Sequence, residues 1–466
     1  MSNYVQLTLL VLTFVTLSHS SIIEDIPNPS NILDDVTIPS SVLPDIHITT
    51  PSVLPDRTTQ SSASQDVTTP KDDGVADEYK ITPKIISQYG YPFESHTVVT
   101  QDGYILGIYR IPNGKHRNAS DPQKKPVYLQ HGFTTSSADW VLAGPNISKA
   151  FLLSDEGYDV WLGNIRGNTY SRRHKCLSPD EAKFWDFSFH EMALYDIPAT
   201  IDYILEKTNN KQLSFIGHAM GSTVFYITSI LRPEYNDKVL VHVSLAPINY
   251  LGRTRSFIFK GIALFVNPFK AIIDLLLHGE ILTRTPALDS AMKLLCTKGD
   301  AAKKFCLNLL SFIFGGNEHQ IPASLVPSIA ADEPAGISIK SLTHYMQFIN
   351  SKRFCQYDYG TQNILKYNST TPPDYNITAI QSKVVLIYGT GDILSTEADI
   401  LQFYRQLPSD TARLYKVNYT AFTLIDFIYA KDVKSLVDDD LLEILSAYER
   451  NEVPNVKSLI PVKKVQ

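Results

Sequence analysis

From Tyr79 onward, short apolar runs alternate with longer helix-like stretches. The runs Tyr104–Tyr109, Val127–Gln130, Asp159–Gly163, Leu213–Ile216, Val239–Leu245 and Val384–Tyr388 have strand length and little polar alternation. A strand with no polar face is covered on both sides, the situation of a parallel sheet flanked by helices. His190–Glu206 and Thr223–Leu231 read as two of those helices. The pattern predicts an α/β fold with a mostly parallel sheet. Between about residues 252 and 372 the strand rhythm stops, and apolar helix-like runs such as Ile262–Val266 and Ile272–Leu277 replace it. This predicts a helical cap inserted over the sheet.

The first 78 residues have a different texture. Val5–Leu17 is an apolar run of signal-peptide length, followed by Ser18-His19-Ser20, so residues 1–20 are expected to be a secretory signal cut after Ser20. The segment before that run has no Lys or Arg, which leaves the signal pattern incomplete. Residues 21–78 contain no aromatic residue and no Cys, and they are rich in Ser, Thr and Pro. Such a stretch buries too little surface to offset the entropy of ordering, so it is expected to be disordered. It holds a repeat, Ser41-Val42-Leu43-Pro44-Asp45 and Ser52-Val53-Leu54-Pro55-Asp56. The segment reads as a solvated leader, or as a tail modified on Ser and Thr. The folded domain then covers residues 79–466.

Composition sharpens this division. The 466 residues are 44% hydrophobic and 19% charged, with a net charge of −6. Residues 21–78 carry 11 Asp and Glu against Arg57 and Lys71, a local charge of −9. Removing that −9 from the whole-chain −6 leaves +3 for everything else. No dense Lys/Arg cluster exists for a nucleic acid to meet. After the signal, no apolar run is long enough to span a membrane. The Cys and His residues show no metal-ligand spacing, and neither a metal nor a cofactor is expected.

The candidate chemistry lies at Leu213-Ser214-Phe215-Ile216-Gly217-His218-Ala219-Met220-Gly221-Ser222-Thr223. An apolar strand runs into a Gly-x-x-x-Gly turn and then a helix, the frame of a nucleophile elbow. The central residue of that motif is Ser, and here it is Ala219.

With this frame, residues 79–450 resemble the acid lipase family of α/β-hydrolases, the gastric and lysosomal type, and its insect members in particular. The likeness rests on several ordered segments. They are His131-Gly132-Phe133, Ser136-Ser137-Ala138-Asp139-Trp140, Gly157-Tyr158-Asp159-Val160-Trp161-Leu162-Gly163-Asn164 and Arg166-Gly167-Asn168-Thr169-Tyr170-Ser171. Further along come Phe184-Trp185-Asp186-Phe187-Ser188-Phe189-His190-Glu191-Met192, Arg232-Pro233-Glu234-Tyr235, Phe354 and Gln356-Tyr357-Asp358-Tyr359-Gly360.

The resemblance implies an α/β-hydrolase fold with nucleophile, acid and base at Ala219, Asp392 and Leu424. Asp392 keeps the acid, whereas Ala219 has no nucleophilic atom and Leu424 cannot accept a proton. Loss of the nucleophile or the base in a serine hydrolase costs on the order of 10⁶ in turnover. The resemblance puts the oxyanion-hole N–H groups at Phe133 and Met220, and these survive side-chain change because they are backbone groups. Ser222, one helical turn past the elbow, is expected to point elsewhere. His131 and His218 are expected to be structural, and His242 and His319 to face solvent away from the site. The family's short disulfide loop falls at Cys296 and Cys306, while Cys176 and Cys355 are free or paired. Sequons at Asn118, Asn146, Asn368, Asn376 and Asn418 suit N-glycosylation in a secreted chain.

These residues predict a secreted, glycosylated, catalytically inactive lipase homologue, not an enzyme. Storage is the favoured role, because lipase-related insect yolk proteins resemble this chain in their Ser/Thr-rich extension. Two alternatives stay open: an active carboxylester lipase with a rearranged triad, and a lipid carrier in gut or haemolymph. The expected ligand is a lipid or fatty acyl group, met either by a lipid-facing cap or by a retained pocket. The cap's apolar helices equally fit a core-facing role.

Overall fold

In the computed structural model the described residues are 80–117, 124–264, 279–282, 284, 286–317, 319–456 and 459–461. The signal, the acidic leader, Asn118 and the run Ile272–Leu277 lie outside them.

The strands are β1 (Glu94–Val99), β2 (Tyr104–Ile111), β3 (Pro126–Gln130), β4 (Asp159–Leu162), β5 (Arg173–His174), β6 (Leu213–His218), β7 (Val239–Leu245), β8 (Glu280–Ile281), β9 (Ile337–Ser338), β10 (Val384–Tyr388), β11 (Ala412–Lys416) and β12 (Leu459–Pro461). The main sheet runs β1-β2-β4-β3-β6-β7-β10-β11-β12, with β5 paired to β2. From β4 to β11 every neighbouring pair is parallel. β1 and β2 at one end and β12 at the other pair antiparallel. This is the α/β-hydrolase architecture, a mostly parallel sheet with flanking helices.

Burial explains the sequence pattern. Every residue of β3, β4, β6 and β10 is buried, so these strands have no solvent face on which polar residues could alternate. Helices Ile197–Thr208 and Met220–Leu231 are parts of that cover. Ten of the twelve residues in Met220–Leu231 are buried. The helix therefore packs on nearly all sides.

Between β7 and β10 stand helices Pro286–Cys296, Asp300–Phe314, Val326–Asp332 and Ile339–Ser351, with β8 and β9 as a small ribbon. A disulfide joins Cys296 to Cys306 and ties the first two helices together. Cys176 is an exposed free thiol and Cys355 a buried one. The inserted region turns both ways. Phe314 and Phe259 line the pocket described below, whereas Phe257, Phe305 and Phe312 are 82%, 55% and 48% exposed.

Candidate active site at the carboxyl ends of the parallel strands

The candidate residues leave the sheet from one edge. His131-Gly132-Phe133 follows β3, Ala219 follows β6, Asp392 follows β10, and Leu424 comes after β11. In open α/β sheets this carboxyl edge is where ligands bind, because the loops diverge there and leave a crevice.

The turn after β6 is held in an uncommon conformation. Ala219 sits at φ 48° and ψ −110°, a region that residues with a Cβ rarely adopt. Its N–H donates to the Leu245 carbonyl at 2.9 Å, and its carbonyl accepts from Ser222 N at 3.1 Å and Thr223 N at 3.3 Å. The two glycines make this possible. A Cβ at Gly217 would lie 2.6 Å from Ser222 N, and one at Gly221 would collide with the Gln130 carbonyl. Met220 is the first residue of the helix, where N–H groups have no intrahelical acceptor. Ser222 points away as expected, donating to the Gly217 carbonyl at 2.7 Å.

Asp392 is 1% exposed. Its Oδ1 accepts from Leu394 N at 2.8 Å and Ser395 N at 2.9 Å, while Oδ2 is buried without a partner. Burial pushes its carboxyl up to about 7, and the two N–H groups only partly offset this. The sign of the linkage follows. A carboxyl whose folded value lies above its unfolded value of about 4 gives its full stabilisation below pH 4 and loses it as pH rises to 7. Asp392→Asn keeps an acceptor oxygen and removes the titration. Relative to the unmodified chain it is expected to gain stability steadily from pH 4 to 7, up to about 4 kcal/mol. Urea unfolding of both proteins at pH 4.5 and 8 checks this; an equal difference at the two values would contradict it.

Leu424 is 6% exposed and lines the pocket. Its carbonyl accepts from His218 Nε2 at 3.0 Å. A ring nitrogen that donates to a carbonyl carries the proton, so in the neutral ring Nδ1 keeps its lone pair. Burial pushes the His218 imidazole below its usual value, which favours that neutral form. Nδ1 is buried without a hydrogen-bond partner. His131 is held down at about 4 by burial, and its Nδ1 lies 2.9 Å from the Gly132 carbonyl.

The pocket over the elbow has about 760 Å³ of empty space, counting its mouth. Ala219, Phe133, His218 and Leu424 share its lining with apolar side chains from the cap and the sheet edge. One polar group there has no counterpart among the sequence expectations. Tyr429 Oη donates to Asp139 Oδ1 at 2.8 Å and lies 2.5 Å from Glu333 Oε1. Burial and the neighbouring Asp139 push the Glu333 carboxyl well above the usual carboxylate range. These residues are far apart in the chain, and no local motif announces them.

The chain matches the family model of the partial α/β-hydrolase lipase region over residues 82–144 and that of the α/β hydrolase fold over residues 125–261. Lipase 1 of Drosophila melanogaster is 37% identical over 365 residues, covering 78% of this chain and 79% of its own. Human gastric triacylglycerol lipase is 36% identical over 365 residues, covering 78% and 90%. Human lipase member K is 36% identical over 371 residues, covering 79% and 91%. The chain belongs to the acid lipase family.

Membership in the acid lipase family corrects one expectation. Two side chains, at 219 and 424, had predicted that this protein is not an enzyme. The relatives are named lipases over nearly the whole folded domain, and the fold is that of hydrolases, so the comparison points to an enzyme family. The structure corrects a smaller point. His242 is fully buried on β7 against Phe215, Phe225 and Tyr226, and burial holds its imidazole at about 3. His319 is exposed, as are Asn146, Asn368, Asn376 and Asn418. Among the described residues, no cluster of His, Cys, Asp and Glu is arranged to hold a metal, and no helix is long and apolar enough to cross a membrane.

Proposed function

We propose that this acid lipase family protein is secreted and takes the acyl group of a neutral lipid into the pocket over Ala219, with the carbonyl oxygen at the N–H groups of Phe133 and Met220. The observation that carries the reading is the pocket itself. Ile248, Leu251, Phe259, Phe314, Ile349 and Leu424 give an apolar wall beside the elbow turn. Such a wall rewards a hydrocarbon chain by about 0.8 kcal/mol per methylene removed from water. Two backbone N–H groups that meet at one point would suit a single carbonyl oxygen. Exposed Phe305 and Phe312, seven residues apart on helix Asp300–Phe314 and so on one face of it, support a lipid partner as well.

Ala219 and Leu424 offer only methyl and isobutyl groups to that carbonyl. Cleavage of a bound ester therefore takes its nucleophile from elsewhere, such as water, with His218, whose Nδ1 has no partner, and the Asp139 carboxyl as groups of the lining that could receive its proton. Calorimetric titration with a long-chain methyl ketone, an ester mimic without a leaving group, tests the binding step. Saturable binding at one site per chain is expected; no binding would overturn the reading. Storage in a yolk-type compartment is a narrower reading that rests on the Ser/Thr-rich extension, and bulk deposition in eggs would be its test.

A further inference from the structure

The pocket carries charge of one sign. Its lining includes the carboxyl groups of Asp139 and Glu333 and, among the described residues, no Lys or Arg. The surrounding charged groups do not compensate. Lys149 is committed to Asp438 at 3.0 Å. Arg284 pairs with Asp289 and donates to the carbonyls of Glu333 and Ala330. Arg255, which donates to the carbonyls of Thr390 and Asp392, is an exposed residue outside the lining, where water screens its charge. Asp332, next to Glu333, accepts from Ser136 at 2.7 Å and Tyr170 at 2.9 Å and brings a further carboxyl close by. His131 and His218 are both pushed toward the neutral form by burial.

Tyr429 connects Asp139 to Glu333, so the two carboxyls and the phenol form one hydrogen-bonded group. A proton retained on Glu333 lets that group settle with a single negative charge. A second and independent feature points the same way. His218 is 4% exposed, lines the same pocket, and has Nδ1 without a partner. A bare ring nitrogen accepts a hydrogen bond and offers nothing to an anion. The N–H groups of Phe133 and Met220 would suit a carboxylate as well as an ester carbonyl, but the fixed negative charge separates the two ligands.

We infer that Asp139, Glu333 and Tyr429, together with His218 Nδ1, make this pocket select neutral and cationic amphiphiles over carboxylates. The inference rests on the acyl-binding reading and adds the charge of the head group to it. For an ester-binding pocket, the consequence is that a neutral ester is held while the fatty acid anion is disfavoured.

The test titrates the full chain at pH 8 with dodecanol, dodecylamine and dodecanoate, each below its micellar concentration. The alcohol and the ammonium are expected to bind about tenfold or more tightly than the carboxylate, as one uncompensated charge at short range in a protein interior implies. In the double variant Asp139→Asn with Glu333→Gln, the ratio of alcohol to carboxylate affinity is expected to fall toward one. Dodecanoate binding as tightly as dodecanol in the unmodified chain would overturn the charge inference alone. Failure of all three probes to bind would overturn the acyl-binding reading, and the inference with it.

Discussion

Ala219→Ser combined with Leu424→His is expected to raise turnover of long-chain acyl esters about a thousandfold over the unmodified chain. Restoring both members of a relay restores a large effect, because removal of either costs on the order of 10⁶ in a serine hydrolase. The surroundings already suit the change. The elbow holds position 219 at φ 48°, and Gly217 and Gly221 leave room for its neighbours. Asp392 has a buried oxygen without a partner, the group that would orient an imidazole at 424. A smaller gain than the full relay allows is expected, since His218 already uses the Leu424 carbonyl and the pocket is packed around an isobutyl group. Each single variant should give little, because relay members act as a unit. Initial rates on purified proteins decide the matter: a double variant no faster than the unmodified chain would contradict it.

Lys149→Met should be strongly destabilising, at about 3–5 kcal/mol. Lys149 is 2% exposed and its ammonium lies 3.0 Å from Asp438 Oδ1, itself fully buried. It also donates to the Phe427 carbonyl, which fixes the backbone between Leu424 and Tyr429, two residues of the pocket wall. Removing the ammonium leaves a fully buried carboxyl without its ion-pair partner. Adding Asp438→Leu to Lys149→Met should recover much of the loss, because it is the stranded charge that costs most. Urea unfolding of the single and double variants measures both effects. A single variant within about 1 kcal/mol of the unmodified chain would show that the buried pair does not matter.

The central sheet was legible because strands buried on both faces read as unbroken apolar runs, and β3, β4, β6, β7 and β10 were all anticipated. The outer strands were harder. β1, Glu94–Val99, opens with four polar residues in a row and alternates only in burial, with one face open. β11 carries Arg413 and Lys416 within five residues. Neither has the apolar run that marked the centre. The same logic explains His242, whose imidazole suggested solvent although a residue on a covered strand has nowhere polar to face.

The elbow was legible for a local reason, since strand, glycine pair and helix all fall within a few residues. The Asp139–Tyr429–Glu333 group was not, because three short segments from distant parts of the chain build it and each residue alone looks ordinary. Two side chains are a narrower basis for enzymatic character than the rest of the domain. Similarity to named lipases over 78% of the chain carries more.

A long-chain methyl ketone labelled with ¹³C at its carbonyl gives the most direct measurement of acyl binding over Ala219. Bound to the full chain, its carbonyl carbon should resonate downfield of its position in hydrocarbon solvent, as a carbonyl carbon does when its oxygen accepts hydrogen bonds, here from Phe133 and Met220. A bound ketone whose resonance stays at its position in hydrocarbon solvent, or a ketone that does not bind at all, would contradict the proposed site.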